Sequence, residues 1–172
     1  MKKITLILMA MSAMTVMSVN ADDNGGELHF IGSVSDVTCN IKVLVGGAPG
    51  NTIQLGSMAA DGSGATAVNF SLVSDNAACL DKVSANVGWQ SFKLTSEGLG
   101  NGSGTATGAF IRLTAGNAAN TVITENNQHA SFSDPDGIRR FDFTAKLALS
   151  AGVVAATPGT VFATATYTVA YL

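Results

Sequence analysis

The residues that could perform catalysis in this chain are few and far apart. An imidazole is the usual base that activates a serine or cysteine nucleophile, and the two histidines are His29 and His129. Neither lies in a nucleophile-elbow pattern, and His129 follows the polar run 125–128. Nothing in the spacing of the carboxylates favours the acid pair of a glycosidase. The sequence therefore predicts a protein that is not an enzyme.

The run Asp134-Pro135-Asp136-Gly137 resembles part of a calcium-binding loop. The spaced oxygen ligands and the terminal glutamate of such a loop are missing. Asp, Pro and Gly are also the residues that favour a tight turn. We interpret this run as a turn, and we predict no metal or other cofactor.

Composition and charge narrow the class of protein further. Of the 172 residues, 47% are hydrophobic and 12% are charged, which is the reverse of a disordered chain. The formal net charge is -3 and no basic block is present, so no nucleic-acid partner is predicted.

The first residues have the pattern of a secretory signal peptide. Lys2 and Lys3 precede the apolar run 4–19, and Val19-Asn20-Ala21 has the small-x-small form of a cleavage site. A membrane anchor is the alternative, but the run is short and leads directly into polar residues. We predict that residues 1–21 are a signal peptide and that the chain is exported.

Two cysteines, Cys39 and Cys79, follow the predicted signal peptide. Export places them in an oxidising compartment, where a pair normally forms a disulfide. A metal site is a poorer interpretation, because no second pair of ligands lies near them in the sequence.

Alternation of apolar and polar residues is the main structural signal, and it is typical of half-buried strands. No run has helical periodicity of helix length, although 74–80 could hold a helical turn. Several short strands separated by turns predict an all-β antiparallel sandwich. The glycine-rich stretch 98–108 is interpreted as a flexible surface loop. The alternating runs are 28–35, 68–72, 83–89, 111–114, 140–149 and 161–171.

The two outermost alternating runs suggest strand addition between molecules. The C-terminal run is apolar on one face and needs a neighbour on each side. The N-terminal run follows a polar, glycine-containing opening and looks like an arm that leaves the domain. The arm of one molecule can therefore supply the partner strand that the C-terminal run of another molecule needs.

These features together resemble the major structural subunits of chaperone–usher fimbriae of the type 1 pilin class. The arm from Asn24 through Val34, then Cys39, resembles the pilin N-terminal extension, and the cysteine pair resembles the single disulfide of the family. Tyr171 is similar to the penultimate tyrosine, Gly159 to the glycine that pilins carry near the C-terminus, and 51–56 to the second strand.

The resemblance implies an incomplete immunoglobulin-like antiparallel β-sandwich that lacks its last strand and is completed by a donor strand. It divides the chain into a signal peptide (1–21), an N-terminal donor-strand extension (22–31) and a pilin domain (32–172). The implied donor residues are Gly26, Leu28, Phe30, Gly32 and Val34. The implied chaperone and acceptor residues are Gly159, Val161, Ala163, Ala165, Tyr167, Val169 and Tyr171.

The same resemblance implies the partners and the location of the chain. A periplasmic chaperone would lend the missing strand, an outer-membrane usher would receive the subunit, and neighbouring subunits would replace the chaperone in a surface fimbrium. The alternative is a lectin-like subunit that also binds host glycans. Arg139 and Arg140 are the candidate contacts for an anionic sugar.

Overall fold

A computed structural model of the chain describes residues 39–118 and 121–172. The predicted signal peptide, donor-strand extension and donor residues lie outside these ranges, as does the predicted strand 28–35. The elements, in chain order, are β1 (Ile41–Val45), β2 (Ala48–Pro49), β3 (Val68–Ser74), α1 (Ala77–Leu80), β4 (Ser84–Gln90), β5 (Leu99–Gly100), β6 (Ala109–Ala115), β7 (Val122–Ile123), β8 (His129–Ser133), β9 (Arg140–Leu149) and β10 (Thr166–Tyr171).

The strands form two antiparallel sheets. The larger has the order β2-β1-β3-β9-β6-β5, with β7 beside β6, and the smaller has the order β10-β4-β8. Phe70 lies opposite Phe143 between β3 and β9, and Val87 lies opposite Val169 between β4 and β10. The predicted antiparallel sandwich is confirmed.

Alternation explains why these segments form strands. In β9, Phe141, Phe143 and Ala145 are buried, whereas the residues between them are partly exposed. Successive side chains of a strand point to opposite faces, so this pattern places one face of the sheet on the core.

An aromatic cluster joins the two sheets. The ring centroids of Phe143 lie 5.6 Å from Phe70 and 5.1 Å from Trp89, and those of Phe132 and Phe141 lie 4.9 Å apart. Such pairs stabilise a fold by about 0.5–1.5 kcal/mol each beyond the area they bury. The cluster fixes one end of the sandwich, including the strand β4 that carries Trp89.

The predicted helical turn and the predicted turn at 134–137 are both present in the structure. The helical turn is α1, and the side chain of its N-cap, Asn76, accepts a hydrogen bond from the backbone N–H of Ala78 at 3.1 Å. The run 134–137 is a turn, in which the Gly137 N–H donates to the Asp134 carbonyl at 3.1 Å. No helix within the described ranges is long and apolar enough to cross a membrane.

Candidate functional site

The C-terminal strand β10 lies at an edge of the smaller sheet. It pairs with β4 on one side, and no described strand pairs with its other side. The Leu172 N–H donates to the Ser84 carbonyl at 2.9 Å, so the even-numbered residues bond to β4. Hydrogen bonding alternates along an antiparallel pair, and the N–H and C=O groups of Tyr167 and Val169 therefore face the open side. An edge of this kind is a template for another strand.

The segment before β10 continues the same alternation. The Phe162 carbonyl accepts from the Gly102 N–H at 2.7 Å, and the Thr160 carbonyl accepts from the Ala106 N–H at 3.0 Å. These even-numbered residues bond to the loop 101–107, which leaves the odd-numbered backbone groups on the open side. The interpretation of 98–108 as a flexible surface loop is wrong, because this loop is hydrogen-bonded to the C-terminal segment.

Gly159 lies where the C-terminal segment comes close to the loop 101–107. A Cβ at this position would lie 2.5 Å from the Thr105 hydroxyl oxygen and 2.6 Å from the Ala106 backbone nitrogen. Because a side chain cannot fit there without a shift of the backbone, glycine is required for the contact between the loop and the C-terminal segment.

The first prediction concerns this contact. Gly159→Ala is expected to lower the free energy of unfolding by about 1–3 kcal/mol, since the added methyl group overpacks the contact. Gly50→Ala is the matched control, because a Cβ there meets nothing within 4 Å and its φ is not positive. Urea unfolding of both variants checks the result, and equal midpoints would contradict it.

An apolar groove with a volume of about 960 Å³ runs along the C-terminal segment before β10 and reaches Tyr167 near the start of that strand. One wall is the C-terminal segment, which contributes Val161, Ala163, Ala165 and Tyr167, and Gly159 lies at its end. The opposite wall is the segment 51–60, in which Ile53, Leu55 and Met58 are half-buried. The floor includes Phe70, Leu72, Trp89, Ile111, Leu113 and Leu147. No charged side chain is among the described residues that line this groove.

The second wall differs from what the sequence indicated. The segment 51–56 resembles a strand of the pilin class, yet it forms no strand in the structure. Its apolar residues still alternate inward at Ile53 and Leu55 and pack on the core. The segment therefore borders the groove without closing it by a backbone ladder.

Trp89 is a buried residue at the floor of the groove. Its ring centroid lies 5.7 Å from that of Tyr167, which contributes to the wall. Its indole N–H is buried without a hydrogen-bond partner among the described residues. An unpaired buried donor costs about 1–3 kcal/mol of folding free energy.

The remaining residues of the predicted acceptor strand lie beyond the groove. Val169 is half-buried against the core. Tyr171 is buried, with its ring centroid 5.7 Å from that of Phe141. Burial raises the pKa of the Tyr171 hydroxyl. Tyr171 thus anchors the end of β10 to the aromatic cluster.

The predicted disulfide between Cys39 and Cys79 is present. It joins the residues before β1 to α1, with a Cα–Cα distance of 6.1 Å, and Cys79 is fully buried. The bond links the residues just before β1 to α1, which follows β3, the strand that pairs with β1.

The second prediction concerns this bond. Replacing both cysteines by alanine is expected to lower the free energy of unfolding by about 4 kcal/mol, because the disulfide closes a loop over a sequence separation of 40. Urea unfolding without reductant is the measurement. The wild-type chain under reducing conditions is the control and should match the variant, whereas a variant as stable as the oxidised wild type would overturn the estimate.

The candidate glycan contacts are both exposed. The Arg140 Nε lies 3.0 Å from a carboxylate oxygen of Asp142, and the Arg140 carbonyl accepts from the Asn117 side chain at 3.0 Å. Arg139 precedes β9. Within residues 39–118 and 121–172, no group of three or more His, Cys, Asp and Glu side chains is placed to hold a metal ion.

Comparisons with known proteins define first the class of fold. The chain is similar to the crystal structure of the P pilus rod subunit PapA, with a TM-score of 0.55 and 16% sequence identity, over 86% of this chain and 100% of that chain. The fold is therefore the incomplete immunoglobulin-like fold of pilins, and the predicted fold class is confirmed.

Two sequence relatives define the family, although no protein-family model matches the sequence. The F107 fimbrial protein of Escherichia coli is 32% identical over 178 residues, which cover 99% of each chain. The K99 fimbrial protein of Escherichia coli is 32% identical over 156 residues, covering 86% of this chain and 84% of the relative. The chain belongs to the family of chaperone–usher fimbrial subunits, and it is a structural subunit of a surface fimbrium.

Proposed function

We propose that this fimbrial subunit polymerises by donor-strand exchange. The extension 22–31 of one copy, with the strand that follows it, inserts into the groove of the next copy. The observation that supports this proposal is the open edge of β10 beside an apolar groove of about 960 Å³. The proposed donor residues are Gly26, Leu28, Phe30, Gly32 and Val34.

The two surfaces are chemically complementary. The groove is apolar, and the proposed donor residues Leu28, Phe30 and Val34 are two and four positions apart, so they would share one face of a strand. Full burial of each large side chain contributes about 1.5–3 kcal/mol. The open backbone groups of β10 supply a ladder that orients the incoming strand, a general mode of recognition by strand addition.

The C-terminal segment has a second role in this proposal. A periplasmic chaperone occupies the groove after export and covers Val161, Ala163, Ala165 and Tyr167 until the subunit reaches an outer-membrane usher. Gly159, Val169 and Tyr171 hold the ends of this acceptor strand in place. Replacement of one strand by another requires no catalytic group and no cofactor, so the role is structural rather than enzymatic.

A peptide competition experiment tests the proposal. A peptide of residues 22–34, added in excess to the chaperone-bound subunit, is expected to displace the chaperone and to stop growth of multimers in unheated SDS gels. The same peptide with Leu28→Ser and Phe30→Ser is the control and should leave growth unchanged. Equal effects of the two peptides would refute recognition through these side chains.

A further inference from the structure

Two large aromatic side chains, one at the turn after β4 and one on the C-terminal segment, are exposed to solvent. Phe92 is 107% exposed at the turn after β4, and Phe162 is 57% exposed on the C-terminal segment. A fully exposed phenylalanine leaves unrealised about 1.5–3 kcal/mol that burial would supply. Residues of this kind on a surface often mark an interaction site when they lie together.

The two phenylalanines border one depression of about 250 Å³. The other described residues that line it are Ser91, Lys93, Gly102, Ser103, Ala163 and Thr164. These eight residues form the aromatic depression.

Two hydrogen bonds within the chain connect residues of the aromatic depression. The Ser91 hydroxyl donates to the Thr164 carbonyl at 2.7 Å, and the Gly102 N–H donates to the Phe162 carbonyl at 2.7 Å. A sugar needs free donors and acceptors around it, because its hydroxyl groups lose their water on binding. The two exposed phenylalanine rings are the largest apolar groups that the depression offers, and they suit an apolar protein surface.

The aromatic depression is continuous with the groove. Phe162, Ala163 and Thr164 line both, so this part of the C-terminal segment borders the groove and the depression at once. A copy that inserts its strand into the groove brings the rest of its domain to this part of the surface. Lys93 adds a positive charge at the rim, which suits a partner whose net charge is negative.

We infer that the aromatic depression packs against the body of a second copy of this chain in the fibre, separately from the strand that fills the groove. This inference rests on the proposed function, because it assumes that the subunits are linked by strand exchange. The contact between the folded domains of two subunits sets how tightly successive subunits pack. The exchanged strand is what links the subunits to one another.

Photo-crosslinking in assembled fibres tests the inference. A photo-reactive phenylalanine analogue replaces Phe92, and the same analogue at Val154 is the matched control, since Val154 is 90% exposed and lines neither the groove nor the aromatic depression. Unheated gels report linkage by strand exchange, and heated gels report covalent cross-links. We expect several-fold more cross-linked dimer from position 92 than from position 154.

The two readouts separate the possible outcomes. Multimers in unheated gels, with equal cross-linking from positions 92 and 154, would overturn the contact while leaving strand exchange intact. Absence of multimers from the wild-type chain would instead refute the proposed function. Binding of fibres to a glycan array that is lost in Phe92→Ser but kept in Val154→Ser would assign the depression to a saccharide and would also overturn the inference.

Discussion

Deletion of residues 22–31 is expected to abolish fibre growth while leaving chaperone capture intact. The groove and the open edge of β10 belong to residues outside the deletion, so the chaperone keeps its binding surface. The shortened chain has lost Gly26, Leu28 and Phe30 and has no strand to offer the next subunit. The measurement is multimer length in unheated SDS gels, together with co-purification of the chaperone.

A matched variant separates the loss of length from the loss of apolar side chains. Leu28→Ser with Phe30→Ser keeps the full extension and is expected to behave like the deletion, because a polar strand gains little from an apolar groove. Fibres of normal length from the deleted chain would show that subunits are joined in another way.

Filling the groove is expected to produce the opposite defect. Ala163 is half-buried on the groove wall, and Ala163→Trp places a large ring where the incoming strand would lie. Overpacking of a fitted apolar site costs about 1–3 kcal/mol or more. The variant keeps its own extension, so it can donate a strand but cannot accept one from the chaperone or from another subunit. Added as purified protein to chaperone-bound wild-type subunits, it should shorten the fibres in proportion to its share.

The control for this variant lies on the same strand. Thr168 is exposed on β10 and does not line the groove, so Thr168→Trp adds the same bulk on the other face. Mean fibre length measured by electron microscopy should fall with Ala163→Trp and stay unchanged with Thr168→Trp. Equal shortening by both would show that bulk on β10, rather than a blocked groove, is responsible.

Strands with one face packed on the core could be predicted from the sequence. Alternation in 68–72 and 140–149 indicates β3 and β9 because a strand with one face on the core must bury every second side chain. Alternation does not show whether the backbone of a segment forms hydrogen bonds to a neighbouring strand. Residues 51–56 have half-buried apolar positions without a ladder, and among the described strands β10 pairs with β4 alone.

The role of the glycines in the loop beside the groove could not be predicted from the sequence. Glycines in 98–108 suggested flexibility, yet a Cβ at Gly104 would collide with the Thr160 carbonyl, so this glycine permits close packing. Whether a glycine serves flexibility or contact depends on tertiary neighbours. The exposure of Phe92 also depends on tertiary structure, because it is set by the position of the turn after β4 in the fold.

The most direct test of the account uses two populations of chains, each with one added cysteine. One carries Phe30→Cys on the extension and the other carries Ala163→Cys on the groove wall, so a new bond between these positions can only join different copies. Facing side chains on adjacent strands lie within disulfide reach. The account predicts a covalent dimer in heated, non-reducing gels of mixed fibres, and far less when Thr168→Cys replaces Ala163→Cys. Fibres that form without this dimer, or with equal dimer from position 168, would contradict the insertion of one subunit's extension into the groove of another.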